Sequence, residues 1–166
     1  MTSLPPAPTS DPIGSRGEFH GALRAAFAEA ATVGCREIWL CDKDFADWPL
    51  SERAVIDHLT QWAQAHRKLT LLAQSFDEIV RRHARWVEWR RQWSHVVECR
   101  TNAELEAGQM PVILLAPGLV TVRLVDAVHY RGSTSHATAD AVQARELIDA
   151  VLQRSAEAFP VTTLGI

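Results

Sequence analysis

The sequence is short of several things, and each scarcity closes off a class of function. Its 166 residues include three cysteines, Cys35, Cys41 and Cys99, with no CxxC pair among them. An odd set lying among apolar residues suits neither a disulfide framework nor a zinc site; it reads as reduced, buried thiols of a cytosolic protein. No run approaches the roughly 20 apolar residues that cross a bilayer. The proline-rich start has no apolar stretch of the kind a signal peptide needs. The expected location is therefore cytoplasmic, with no membrane partner. Among the 17 basic residues only Lys43 and Lys68 are lysines, and the net charge is -3. With no overall positive field, nucleic acid is not expected as a partner. There is no GxGxxG, Walker lysine, GxSxG, HExxH or DxDxDG pattern, so no cofactor and no metal are expected.

What remains is an ordinary globular composition, 47% hydrophobic and 22% charged. Such a chain can bury a sizeable core. Residues 1–14 carry four prolines and little to bury, and read as a flexible tail; residues 15–166 read as a single α/β domain. Ser15 and Glu18 have capping-box spacing, Phe19, Leu23, Ala26, Phe27 and Ala30 recur at helical spacing, and Gly34 supplies the stop. Arg36–Asp42 is a buried strand, followed by a helix over Ser51–His66 and a second strand over Leu69–Ala73. A helix over Phe76–Trp93 and a strand over Ser94–Arg100 come next. Val112–Ala116 and Leu119–Asp126, split by Pro117 and Gly118, form a hairpin. The polar stretch Val128–His136 is a loop, and Thr138 caps a last helix bearing Val142, Leu147, Ile148, Val151 and Leu152. The order αβαβαβββα predicts a mixed, mostly parallel sheet with helices on both faces.

The helix over Phe76–Trp93 carries the most chemistry. Phe76, Ile79, Val80, Trp86, Val87 and Trp93 make its apolar stripe, and His83 and Arg90 fall within that stripe. A buried guanidinium needs a carboxylate or a cleft. Asp42 and Asp44, at the carboxyl end of the first strand, are the nearest candidates, with Asp126 a third. Open α/β sheets place ligands at such strand ends. Asp42, Asp44, His83 and Arg90 thus form a candidate pocket for a small anionic ligand; the alternative is an Arg–Asp pair pinning helix to sheet. The helix's arginines, interleaved with Trp86, Trp89 and Trp93, also suggest a stacking surface for nucleic acid. Trp86 and Trp93 lie on the buried stripe and Glu88 interrupts the basic side, so core tryptophans and a solvated arginine face are the preferred account. The loop His129–His136 could turn backbone N–H groups toward a phosphate, with a single glycine to support it.

In order and texture the chain resembles one half of the phospholipase D-like fold of bacterial proteins. The residues that carry the resemblance are REIWLCDKDFADWPL with its acidic strand end, KLTLLA, WRRQWSHVVECR, the hairpin VILLAPGLVTVRLVD, and the closing SAEAFPVTTLGI. It covers about residues 18–166. Active members of that family carry HxKxxxxD, whose histidine attacks phosphorus and whose lysine holds the phosphoryl oxygens. Here the sole HxK is His66–Lys68, at a helix end, with Ala73 in the aspartate's place. The strand that should hold the motif reads VILLAPG. The resemblance therefore implies a non-catalytic domain for ligand binding or protein association, and a homodimer as a natural partner arrangement. The alternative is an enzyme or phosphate-binding protein using the Asp42/Asp44/His83/Arg90 pocket.

Overall fold

The structure, a computed structural model, describes residues 10–64, 66–106 and 108–159. Its strands are β1 (Ser10–Ile13), β2 (Glu37–Cys41), β3 (Lys68–Ala73), β4 (Val97–Thr101), β5 (Val112–Ala116), β6 (Val120–Asp126), β7 (Arg131–Ser135) and β8 (Ala156–Glu157). The helices are α1 (Arg16–Val33), α2 (Arg53–Trp62), α3 (Asp77–Arg82), α4 (Ala84–Gln92) and α5 (Thr138–Leu152). All eight strands join one mixed sheet in the order β1-β7-β6-β5-β2-β3-β4-β8. An α/β architecture is thus observed, with corrections to the expected detail. Only β2–β3 and β3–β4 pair in parallel, and the other five pairings are antiparallel. The sheet is therefore not mostly parallel: crossover helices force parallel pairing only in its first half, while tight turns build the rest.

Strand alternation splits the interior into two cores. Ile38, Leu40, Leu69, Leu71, Leu114 and Val122 point to one face, where Leu23 and Phe27 of α1, Leu59 and Trp62 of α2, and Trp86 of α4 cover them. Trp39, Cys41, Leu72, Ile113 and Leu115 point to the other, covered by Ala144, Ile148 and Val151 of α5. Among the described residues, one side of the sheet therefore carries four helices and the other a single one.

The start of α1 follows the capping expectation: Ser15 Oγ accepts from the Glu18 N–H at 3.1 Å. The Glu18 carboxylate reaches back to the Gly14 N–H at 3.2 Å. Elsewhere local chemistry moved the boundaries. α2 ends at Trp62, not at His66, whose φ of 66° puts it in a left-handed turn. Thr138 is the first helical residue of α5 and not its cap; Ser135 Oγ accepts from the Ala137 N–H at 3.1 Å instead. Residues 10–13 of the expected tail form β1, antiparallel to β7; its short side chains left no periodic signal, and the edge of β7 supplies the order. Residues 1–9 of that tail lie outside the described residues.

Candidate cleft at the end of the first parallel strand

β2 delivers Asp42 to its carboxyl end, and the loop that follows is organised by aspartates. Asp42 Oδ2 accepts from the N–H groups of Asp44 at 3.2 Å and Phe45 at 2.7 Å. Asp44 Oδ1 accepts from the Ala46 N–H at 3.0 Å. These are two successive side-chain turns, the chemistry that makes Asp a turn residue. They hold Phe45 at φ 59°. A bulky residue keeps a left-handed backbone only where surrounding contacts insist; here the Phe45 ring is fully buried and meets the Trp48 ring edge-on at 4.9 Å.

His83 secures the same loop from the other side. Its Nε2 lies 2.8 Å from the Phe45 carbonyl oxygen. The helix expected over Phe76–Trp93 breaks at this residue, with φ -122° and ψ 52°, into α3 and α4. The break rotates the phase of the stripe. Val80 turns out to solvent, while Trp89 is buried beside Trp86. Burial pushes the His83 imidazole down from its ordinary value.

The structure brings Asp42, Asp44 and His83 together around Phe45, and it keeps Arg90 away from them. Arg90 is buried, with its guanidinium over the Phe159 ring at 4.4 Å. Its electrostatic neighbours are Cys99 and Glu157, and burial lowers its pKa. No carboxylate lies in ion-pair distance of Arg90 among the described residues. The expected Arg–Asp pair is therefore corrected. Two turns of helix separate His83 from Arg90, and Phe159, two residues beyond the edge strand β8, which the sequence did not foreshadow, supplies an aromatic cover instead. The anion-binding pocket loses its cation with it.

In its place stands an acidic, aromatic cleft of about 270 Å³. Phe19 and Trp48 are its buried walls; Asp42, Lys43, Asp44, Asp47 and Tyr130 are its polar ones, and Val112, Leu124 and Val128 add apolar surface. Asp47 is the residue that sequence reasoning missed. Its carboxylate takes Arg16 Nε at 2.6 Å and the Tyr130 hydroxyl, and its carbonyl oxygen lies 2.5 Å from His20 Nε2. Burial pushes the Asp47 carboxyl up, but the Tyr130 hydroxyl and Arg16 guanidinium outweigh this and hold it below the ordinary range. The same bond to Asp47 raises the Tyr130 phenol. At Asp42 burial dominates, and its carboxyl sits above the ordinary range despite the N–H groups of Phe45 and Asp44. The signal in the sequence was the acid spacing 42, 44, 47 before a tryptophan; Tyr130, 83 residues away from Asp47, gave none. Asp126, the third candidate, is occupied by His129 Nδ1 at 2.8 Å. Among the described residues no three His, Cys, Asp or Glu side chains converge as a metal would require, and no helix is long and apolar enough to cross a membrane.

No protein-family model and no curated protein matches the chain. In structure it is similar to TrmBL2, an archaeal chromatin protein with a novel mode of DNA binding, at a TM-score of 0.64 and 13% identity. The match covers 95% of this chain and 56% of that one, so the chain spans little more than half of TrmBL2. It is also similar to NucT from Helicobacter pylori, at a TM-score of 0.58 and 8% identity, over 92% of this chain and 100% of that one. Identities this low describe a shared fold. They nonetheless overturn the expectation that nucleic acid is not a partner, because a neighbour with this fold over almost the whole chain is a DNA-binding chromatin protein. Net charge does not decide the matter, because it averages over a surface, whereas phosphate contacts depend on where the arginines stand.

Proposed function

We propose that the chain is a non-catalytic domain with a phospholipase D-like half fold that associates with nucleic acid through the phosphates. Neither β5 nor β6 carries a histidine or lysine, so the hairpin offers no nucleophile of the family's kind. The likeness to a DNA-binding chromatin protein supports a binding role.

The observation that carries the reading is an arginine patch about the turn Ser51–Arg53. Arg24 of α1 forks onto Glu52 at 2.6 and 2.9 Å, and Arg85 of α4 donates from Nη1 to the Ser51 carbonyl at 2.8 Å. Arg53 opens α2 beside them, and Arg81 and Arg82 close α3, ahead of the break at His83 that leads into α4 and Arg85. All five side chains are exposed. Glu52 offsets Arg24 and Glu78 offsets Arg81 and Arg82, whereas Arg53 and Arg85 meet no carboxylate among the described residues. The tryptophans of α4 do not take part in stacking, since Trp86 and Trp89 are buried. Arginine contacts to phosphates position a protein on nucleic acid without reading its sequence.

Fluorescence anisotropy with labelled 20-base duplex and single-stranded DNA at low salt tests this. Binding that weakens with added salt is expected. The double variant Arg53→Ala/Arg85→Ala should bind about tenfold less tightly, with a log–log salt slope smaller by about 2. No retention of either DNA at low salt would end the proposal, as would a double variant with an unchanged slope.

A further inference from the structure

Asp42 is a carboxylate buried without a counter-charge. The residue is 9% exposed and lines the cleft. Oδ2 is used by two backbone N–H groups and the Trp48 indole adjoins the carboxylate, all of them neutral partners. No cationic side chain is within ion-pair distance of either oxygen: Arg16 is spent on Asp47, and Lys43, on the rim, is exposed. A buried carboxylate is costly unless a cation pairs with it. Around it stand the rings of Phe19, Trp48 and Tyr130, with Asp44 and Asp47 nearby. Aromatic faces attract organic cations through the ring quadrupole, and more strongly where water is excluded. Carboxylates and rings about a small cleft suit one chemical group, and they repel phosphate.

We infer that this cleft binds a primary ammonium group carried on a short alkyl chain. The ammonium pairs with Asp42 at the base of the cleft, and the chain lies against the apolar side formed by Leu124 and Val128. A volume of about 270 Å³ admits a chain of a few carbons and no large ligand. A free alkylamine and the side chain of a partner's lysine present the same chemistry. The site is separate from the arginine patch and does not depend on it.

Titration of the whole chain with n-butylammonium chloride at neutral pH, followed by amide chemical shifts, is the test. Saturable shifts in the loop 42–48 and at Tyr130 are expected, with 1-butanol binding at least tenfold more weakly. Asp42→Asn keeps an oxygen for the Phe45 and Asp44 N–H groups, and should weaken butylammonium binding at least tenfold. A second titration with Nα-acetyl-lysine methylamide identifies the source: tighter binding than butylammonium assigns a lysine side chain, weaker or equal binding a free amine. Equal binding of butanol and butylammonium to the wild-type chain would overturn the inference, even if Asp42→Asn failed to fold. An unchanged affinity in a folded Asp42→Asn, or no saturable shifts at all, would overturn it too. DNA binding by Asp42→Asn should match the wild type, so this site and the arginine patch fail or stand independently.

Discussion

The Phe45 carbonyl can only accept, so the facing Nε2 of His83 carries a proton, while the buried Nδ1 meets no partner among the described residues. Burial lowers the imidazole's pKa in the fold. In the unfolded chain it takes up a proton near pH 6.5, whereas in the fold it does so only at lower pH. The folded state therefore loses stability as pH falls through about 6.5 toward the depressed value. Asp42 works in the opposite sense. Its carboxyl is raised by burial, so its charge costs stability above that raised value, and the cost lifts as pH falls toward about 3.9. His83→Gln, whose amide can donate to the same carbonyl, should show a smaller drop in urea midpoint than wild type between about pH 7 and pH 5.5. A variant that follows the wild-type curve would show that another group titrates there. Periodicity could place His83 and Arg90 indoors, because helical spacing decides which face is buried. It could not name their partners, the Phe45 carbonyl and the Phe159 ring, since those contacts join distant parts of the chain.

Elements with strong apolar patterns were legible: α1, β2, β3 and the hairpin β5–β6 stand close to where the residues put them. Others were not, the short edge strands β1 and β8 among them, and two show why. One is the broken helix, since nothing in FDEIVRRHARW announces that His83 would leave the helical track for a loop 38 residues away. The other is β7, whose sequence RGSTS reads as a loop because it has no apolar alternation; it is a strand because β6 and β1 pair with it on both sides. Gly132 makes that pairing feasible. A Cβ built there would fall 1.9 Å from the Arg123 carbonyl oxygen, at the irregularity of register between Leu124 and Asp126. Backbone cannot yield as a side-chain tip can, so Gly132→Ala should cost about 3 kcal/mol and lower Tm by roughly 6–12 °C. Differential scanning calorimetry measures this. A loss under about 1 kcal/mol would mean that β7 shifts freely. Such a loss would also argue against the β6–β7 register described here.

The molecule as a whole is one sheet with unequal coats, four helices on one face and α5 alone on the other. Both sides nevertheless seal their thiols. Cys41 is buried under α5, with Sγ 3.4 Å from Met110 Sδ, and burial raises its pKa. Cys99 is buried on the other side and pushed up to about 12. Cys35 is only half-buried. Ellman's reagent should accordingly react with Cys35 alone in the native protein and with all three thiols in denaturant. Rapid reaction of two or more in the native state would show that one coat opens readily. At this scale the α/β class was readable from the buried strand runs, while the antiparallel half was obscured, because its strands are set by pairing and not by crossover helices. The two margins of the sheet are also closed unequally: β1 lies along β7 for four residues, β8 along β4 for two. Unpaired backbone at a strand's rim is a template for foreign strands. A partly loosened molecule would thus begin to aggregate from the β4 side, where the charges of Glu98, Arg100 and Glu157 stand guard.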